Sequence, residues 1–275
     1  MVFAKVNNDI AFKKIFTRSD KLHILVAFLN AVLQLEAEQA ISQAIIVEPE
    51  SKYALINIET KNKLGESSII NLQLENVEGY EKRFLYYSAK AYVAQLRRGD
   101  DYPKLKPVRY IGITDFNLFS GNQYVTKHLI FNQSTKAHEI KDFDFTFIEL
   151  PKFNKDAAHL SSKLDEWVYF LRHAHELTQE PTKISDESLK AAYELARFAN
   201  WSPEEVGHYD HWSIISQDEK GAVERAKDKE KERLAQSLLQ EGVAFNIVRK
   251  VSGLSQESVM DMAKRFGRSV PEEHQ

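Results

Sequence analysis

The fold is decided by residues 53–74, YALINIETKNKLGESSIINLQL. Residues 53–58 are rich in β-forming side chains, residues 61–66 are a polar turn, and residues 69–74 carry apolar side chains at alternate positions. Two such segments around a short turn that contains Gly65 predict a β-hairpin. Because residues two apart on a strand point to the same face, Asn71 and Gln73 are predicted to share one face.

The elements around this hairpin predict a mixed α/β domain. Two helices precede it, a helix over residues 79–98 follows it, and strands are predicted at 107–114, 124–132 and 143–149. After Pro151 the pattern is almost wholly helical. We therefore predict an α/β core over residues 1–150, a helical extension that packs on it over 151–215, and a charged helix with a helix-turn-helix-like tail over 216–275.

Composition limits the classes of function. The chain has 275 residues, of which 43% are hydrophobic and 28% charged, so it can form a sizeable packed core. It has no cysteine, which excludes disulfides, thiolate zinc sites and cysteine nucleophiles and fits a reducing cytoplasm. No apolar run reaches the ~18 residues of a membrane span, so we expect a cytoplasmic protein with no membrane partner. The net charge of −3 means that any DNA contact needs a local basic patch.

The hairpin carries the pattern of a metal-dependent nuclease, but without its acids. Many such nucleases place one acid on the first strand, a second acid on the next strand, and a Lys or Gln two residues later. The two carboxylates hold Mg²⁺, and the Lys or Gln positions the attacking water. In this chain the three positions fall on Asn57, Asn71 and Gln73.

Short motifs over most of the chain support this interpretation. They are Asp9-x-x-Phe12-Lys13-x-Ile15-Phe16, Phe28-Leu29-Asn30-x-x-Leu33, Gly79-Tyr80-Glu81-Lys82-Arg83, Tyr86-Tyr87-x-x-Lys90-x-Tyr92-x-x-Gln95-Leu96, Gly99-Asp100-Asp101-Tyr102, Ile113-Thr114-Asp115-Phe116, Phe147-Ile148-Glu149-Leu150 and Gly253-Leu254-Ser255-Gln256-Glu257. In this order the chain resembles the recombination-promoting nucleases of a transposase family with the PD-(D/E)XK nuclease fold. The resemblance implies a restriction-endonuclease-like mixed sheet flanked by helices, followed here by an α-helical C-terminal extension.

The same resemblance assigns the site. The family's metal-binding Asp corresponds to Asn57 and its second acid to Asn71, whereas its Gln is kept as Gln73. Loss of both charges weakens Mg²⁺ binding severely. A relocated site on the same hairpin is the alternative, built on Glu59 and Lys61, which share one face, or on Glu75. Ordinary surface roles for Glu59 and Lys61 stay open. The metal site is therefore undetermined, and Mg²⁺ is expected as a cofactor only if the chain is active.

Three functional classes follow from this site. The chain is a DNA-binding protein with lost or much reduced cleavage, an active Mg²⁺-dependent DNA endonuclease that promotes recombination, or a non-catalytic protein that associates with itself or with an active relative. DNA is the expected partner in the first two classes.

A basic segment follows the hairpin. Residues 79–110 hold eight Lys or Arg and three Asp or Glu, interleaved with tyrosines. Basic side chains bind phosphate, and tyrosines hydrogen-bond or stack. The candidate DNA-binding residues are Lys82, Arg83, Tyr87, Lys90 and Arg97. The alternative is an amphipathic helix with its tyrosines in the core and its charges in water.

The C-terminal region predicts two further features. Residues 218–233 hold 12 charged residues out of 16, which indicates a solvated helix. Residues 243–262 have apolar positions in two short helical periods separated by Gly253-Leu254-Ser255, a helix–turn–helix layout. A plain helical hairpin used for packing or self-association is the alternative.

Overall fold

A computed structural model describes residues 2–35, 37–47, 55–75, 82–184 and 186–265. The helices are α1 (Asp9–Phe16), α2 (Leu22–Leu33), α3 (Arg83–Val93), α4 (Lys163–His173), α5 (Glu187–Ala196), α6 (Pro203–Gln240), α7 (Phe245–Ser252) and α8 (Gln256–Arg265). The strands are β1 (Ile41–Val47), β2 (Leu55–Asn62), β3 (Ser67–Glu75), β4 (Val108–Thr114), β5 (Val125–Leu129) and β6 (Phe143–Glu149).

The chain forms two compact units, Met1–Tyr209 and Asp210–Gln275. Helix α6 begins in the first unit, and its residues from 210 onward belong to the second. The divisions predicted after residues 150 and 215 stay predictions. In the part of the chain that the structure describes, no helix is both long and apolar enough to cross a membrane.

The first unit is built on one mixed sheet. Its strand order is β1-β2-β3-β4-β6-β5. The central strands β3, β4 and β6 run parallel, whereas β1, β2 and β5 join antiparallel to their neighbours. Helix α3 connects the parallel strands β3 and β4, which cannot be joined by a tight turn. The predicted restriction-endonuclease-like α/β core is confirmed.

The predicted hairpin is strands β2 and β3. Gly65 adopts a φ of 83°, a left-handed conformation that glycine reaches without a Cβ clash. The Asn62 side chain closes the turn by accepting a hydrogen bond from the Glu66 backbone N–H at 2.8 Å. The resulting register places Asn57 directly opposite Asn71.

The two faces of the sheet have different partners. On one face, Ile58 and Leu72 join a large apolar core with side chains of α1, α2, α4 and α5, including Phe28 and Trp167. On the other face, α3 covers the sheet through Phe84, whose ring lies 5.1–5.5 Å from the rings of Tyr110, Phe145 and Phe147. The polar row of the hairpin belongs to this second face because it alternates with the apolar row.

Two predicted elements are too long. The described part of the helix predicted over 79–98 ends at Val93, and residues 79–81 lie outside the described residues. The Gln95 side chain exchanges two hydrogen bonds with the backbone of Lys106, at 2.9 and 3.0 Å, which draws the chain toward β4. The strand predicted over 124–132 ends at Leu129. Asn132 instead closes a turn by accepting from the Ser134 backbone N–H at 3.0 Å.

Candidate active site

The centre of the candidate site is a pair of asparagine amides. The Nδ2 of Asn71 donates a hydrogen bond to the Oδ1 of Asn57 at 2.7 Å, across the β2–β3 ladder. Asn71 is 1% exposed and Asn57 is half-buried. The Oδ1 of Asn71 is buried and has no hydrogen-bond partner among the described residues. The structure thus brings together two of the positions that the sequence singled out, joined directly to each other.

Gln73 lies beside this pair on the same face. It is completely buried, and its Oε1 accepts a hydrogen bond from the Tyr110 hydroxyl at 2.9 Å. Tyr110 lies on β4 directly opposite Asn71. The Tyr110 ring packs against Phe84 of α3 and Phe147 of β6. The hydroxyl group that holds Gln73 therefore belongs to a side chain that is itself fixed by packing. Sequence reasoning missed Tyr110, because its role depends on the order of β3 and β4 in the sheet.

The donors at this site do not fit Mg²⁺. The Asn57 oxygen already accepts from Asn71, and the Gln73 oxygen already accepts from Tyr110. Mg²⁺ is bound through anionic carboxylates and gives up its water shell reluctantly. Among the described residues no group of three or more His, Asp or Glu side chains is placed to hold a metal ion. The amide pair lies at the two positions that the sequence analysis predicted for the metal-binding acids.

In the hairpin the structure places no second acid opposite Glu59 or Lys61, the residues of the alternative site. The Oε2 of Glu59 lies 3.3 Å from the Nζ of Lys106, and both side chains are well exposed. Across the ladder, Glu59 faces Ile69 and Lys61 faces Ser67. Glu59 and Lys61 do share the face of Asn57, as the alternation predicts, but the hairpin positions opposite them carry no carboxylate. Their surroundings are those of surface residues.

A fully buried acid does lie at the carboxyl end of the parallel strands. Glu149 ends β6, and its Oε1 accepts from the backbone N–H groups of Leu118 and Phe119 at 2.5 and 3.0 Å. The Nζ of Lys152 lies 2.7 Å from the same oxygen and also donates to the Phe119 carbonyl oxygen at 2.6 Å. Glu149 thus fixes the loop after β4. The sequence signal that could have indicated a functional or structural role for Glu149 is its position as an acid at the end of an apolar strand.

Asp9 is a second acid with an unusual environment. It stands in the first turn of α1, next to Asn8, which accepts from the Ile10 backbone N–H at 2.9 Å. Burial raises the pKa of Asp9 to about 6, and the charge of Lys13 offsets this only in part. A carboxyl group that titrates near pH 6 can hold or release a proton at physiological pH.

The basic segment forms an exposed surface, here called the α3 surface: the solvent side of α3 and the turn after it. Lys82, Lys90 and Arg97 are exposed, and Tyr86 is 62% exposed beside them. Arg83 and Tyr87 are less exposed than these residues, since both are half-buried. The guanidinium carbon of Arg83 lies 5.9 Å from the centre of the Tyr87 ring. The structure therefore places three of the five predicted DNA-binding side chains fully at the surface.

A cleft of about 810 Å³ extends this surface beyond the end of α3. Its lining combines two arginines (Arg97 and Arg98), two aspartates (Asp100 and Asp142) and apolar or aromatic side chains that include Val93 and Tyr102. Tyr102 is 79% exposed and Val93 is 70% exposed, so an aromatic ring and an aliphatic side chain lie at the surface beside the arginines. Exposed rings next to arginines are typical of surfaces that bind nucleic-acid backbone and stacked bases.

Comparison with known proteins gives one match. The family model described as PD-(D/E)XK nuclease family transposase matches residues 6–226. No curated protein and no solved structure matches the chain. The family match covers the whole sheet, both asparagines and the α3 surface, and it ends before α7 and α8.

Proposed function

The chain belongs to the PD-(D/E)XK nuclease family transposases, and we propose that it binds DNA with hydrolysis lost or much reduced. The observation that carries this proposal is the 2.7 Å hydrogen bond between the Asn71 and Asn57 amides. Two facing carboxylates would repel each other and need a cation between them. Two facing amides are neutral, are joined here by one hydrogen bond, and create no repulsion that a cation would have to offset. In this proposal the hairpin needs no metal to offset charge repulsion at the two positions that the resemblance assigns to the metal-binding acids.

The loss of charge acts directly on the chemistry. In a metal-dependent nuclease the ion lowers the pKa of the attacking water and stabilises the negative charge that develops on the phosphate. Asn57 and Asn71 offer only neutral oxygens, and one of these already accepts a hydrogen bond. Gln73 remains in place, held by Tyr110, but its neutral amide supplies no charge for a metal ion.

DNA binding survives in this proposal because it depends on a different part of the fold. The segment 79–110 carries eight basic and three acidic residues in a chain whose net charge is −3. Its members Lys82, Lys90 and Arg97 are exposed, whereas Phe84 of α3 packs on the sheet. Such a surface contacts phosphates without regard to sequence. A cytoplasmic location and association with an active relative stay predictions.

A salt titration tests the DNA contact. We expect the full chain to bind a fluorescent 30-base-pair duplex in EDTA, and to leave it uncut after Mg²⁺ is added. The variant Lys82→Ala/Lys90→Ala should reduce the slope of log K against log salt by roughly 1 to 2, at about 0.9 per lost phosphate contact.

The control is Lys229→Ala/Lys231→Ala, which removes the same charge from an exposed stretch of α6. This control should leave the slope unchanged. Equal slopes for all three proteins would remove the α3 surface from DNA binding.

A further inference from the structure

The second unit contains a packed cluster that lies outside the family match. Its buried side chains are Ala235 and Leu239 of α6, Val248 of α7, and Val259, Met262 and Ala263 of α8, with Leu238, Val243, Phe245 and Leu254 packed around them. The family match ends at residue 226, before all of these. The C-terminal end of α6 and the short helices α7 and α8 therefore form a small core of their own.

The ends of these helices are fixed by backbone conformation. Helix α6 ends at Gln240, Gly242 follows with a φ of 87°, and the Val243 N–H donates to the Leu238 carbonyl oxygen at 3.0 Å. Helix α7 stops at Gly253, with a φ of 66°, whose N–H bonds the Arg249 carbonyl oxygen at 3.0 Å. Ser255 then caps α8 by accepting from the Ser258 N–H at 3.1 Å. Helices α7 and α8 are thus separated by a three-residue turn with glycine at its left-handed position, as in helix-turn-helix motifs.

Helix α8 has one buried and one exposed face. Val259, Met262 and Ala263 face the cluster. The opposite face is exposed and polar, with Gln256, Glu257, Asp261, Lys264 and Arg265. Gln256 is held in position by Arg249 of α7, whose guanidinium donates to the Gln256 Oε1 at 2.7 Å. The exposed face therefore presents amide, carboxylate and cationic groups on a helix whose opposite face packs against the cluster.

We propose that α7 and α8 form a helix-turn-helix module that binds duplex DNA, with α8 in the major groove. An α-helix about 10–12 Å across fits a major groove about 12 Å wide. Between residues 243 and 265 the module carries four basic and two acidic residues. Its net charge is therefore positive, opposite in sign to that of the whole chain and complementary to DNA. Arg249, Lys250, Lys264 and Arg265 contact phosphates in this arrangement.

Base contacts come from Gln256, Glu257 and Asp261, within the first six residues of α8. The amide of Gln256 pairs with adenine, because it matches the donor and acceptor of that base in the major groove, and an amide oxygen that accepts from Arg249 keeps a second lone pair. Glu257 and Asp261, one turn apart, accept from the amino group of cytosine. The module adds sequence preference to the sequence-independent contacts proposed for the α3 surface.

A second copy of the chain is the competing occupant. Ile247 and Val251 of α7 are 50% and 55% exposed and lie one turn apart, which is an apolar pair suited to another protein surface. Charge favours DNA, since the same helix carries Arg249 and Lys250 in its last turn. If a second copy is the occupant, the mass in solution rises with concentration and no DNA sequence is preferred.

Selection from a random library tests the module in the full chain. We expect rounds of binding to a duplex with 20 random base pairs at 150 mM salt to enrich one motif. Gln256→Ala should abolish the preference at one adenine position, a loss of about 5- to 150-fold in discrimination, with little change in affinity for random duplex. Gln256→Lys should replace that adenine by guanine, the base that a lysine contacts.

Two controls separate this proposal from the previous one. Lys229→Ala, on an exposed part of α6, should leave the motif and the affinity unchanged. Lys82→Ala/Lys90→Ala should weaken binding to every sequence and leave the motif intact. No enriched motif with the unchanged chain, or a motif that survives both Gln256 variants, would overturn the helix-turn-helix proposal and leave the α3 surface untouched.

Discussion

Restoring the two missing acids should make the stability of the first unit depend on metal. In the variant Asn57→Asp/Asn71→Glu, the 2.7 Å hydrogen bond between the amides is replaced by two facing carboxylates. Position 71 is 1% exposed, so its charge is poorly solvated. Two unit charges about 4 Å apart repel by about 4 kcal/mol at an effective dielectric constant of 20 and by about 1 kcal/mol in water.

The expected loss in the absence of metal follows from these terms. Adding about 1 kcal/mol for the lost hydrogen bond gives a destabilisation of roughly 2–5 kcal/mol. For a unit of this size that lowers Tm by roughly 5–15 °C. A divalent cation at a hundred times its Kd returns about 2.7 kcal/mol, because it binds only the folded state. The variant should therefore melt early in EDTA and recover most of the difference in Mg²⁺ or Mn²⁺.

Thermal unfolding in EDTA, Mg²⁺ and Mn²⁺ measures this directly. The matched control is Asn71→Gln, because Gln is the neutral isostere of Glu and Asn57 is already the neutral isostere of Asp. The unchanged chain and this control should show no metal-dependent rise in Tm. A rise of similar size in the unchanged chain would refute the claim that the amide pair removes the metal site. No rise in the double variant would mean that neighbouring side chains have closed the pocket.

Two titrating groups give further predictions. Burial raises the pKa of Asp9 to about 6. The contribution of Asp9 to stability is therefore fully present below about pH 4 and is lost as the pH rises through 6. Asp9→Asn should raise Tm at pH 7.5 and flatten this part of the plot of Tm against pH, and an unchanged plot would contradict the assignment. Burial opposes ionisation of Asp165, but hydrogen bonds from Lys155, Tyr124 and Ser161 outweigh it and hold its pKa well below the usual range. Stability from this group is present above about pH 4 and is lost on acidification. Asp165→Asn should cost roughly 1–3 kcal/mol in urea unfolding at pH 7, since the hydrogen bonds to a buried carboxylate are lost or weakened. A loss below about 0.5 kcal/mol would contradict the buried network.

The hairpin was predictable because its information is local. Alternation over β3 puts Asn71 and Gln73 on one face whatever the rest of the chain does. The turn at Gly65 fixes which residue of β2 lies opposite, so the pairing of Asn57 with Asn71 follows from a stretch of about twenty residues. Secondary structure and the facing of side chains are set at this range.

The partners from distant strands were not predictable. Tyr110 meets Gln73 only because β4 lies next to β3, which the sequence does not state. Glu149 meets Leu118 and Phe119 because a loop returns over the end of β6. The length of α3 was misjudged for the same reason, since Gln95 bonds the backbone of a residue eleven positions away. These contacts depend on tertiary packing, which overrides local helix and strand preference.

Cleavage by the unchanged chain is the most direct test of the central claim, that the amide pair has replaced a metal-binding pair of acids. Supercoiled plasmid is incubated with the unchanged chain, with Asn71→Gln and with Asn57→Asp/Asn71→Glu, in EDTA, Mg²⁺ and Mn²⁺. We predict that the first two proteins nick at the EDTA background. The double variant should nick on the order of a hundredfold faster in metal, as expected when transition-state charge is again stabilised. Metal-dependent cleavage by the unchanged chain that is lost in Gln73→Ala would contradict the account.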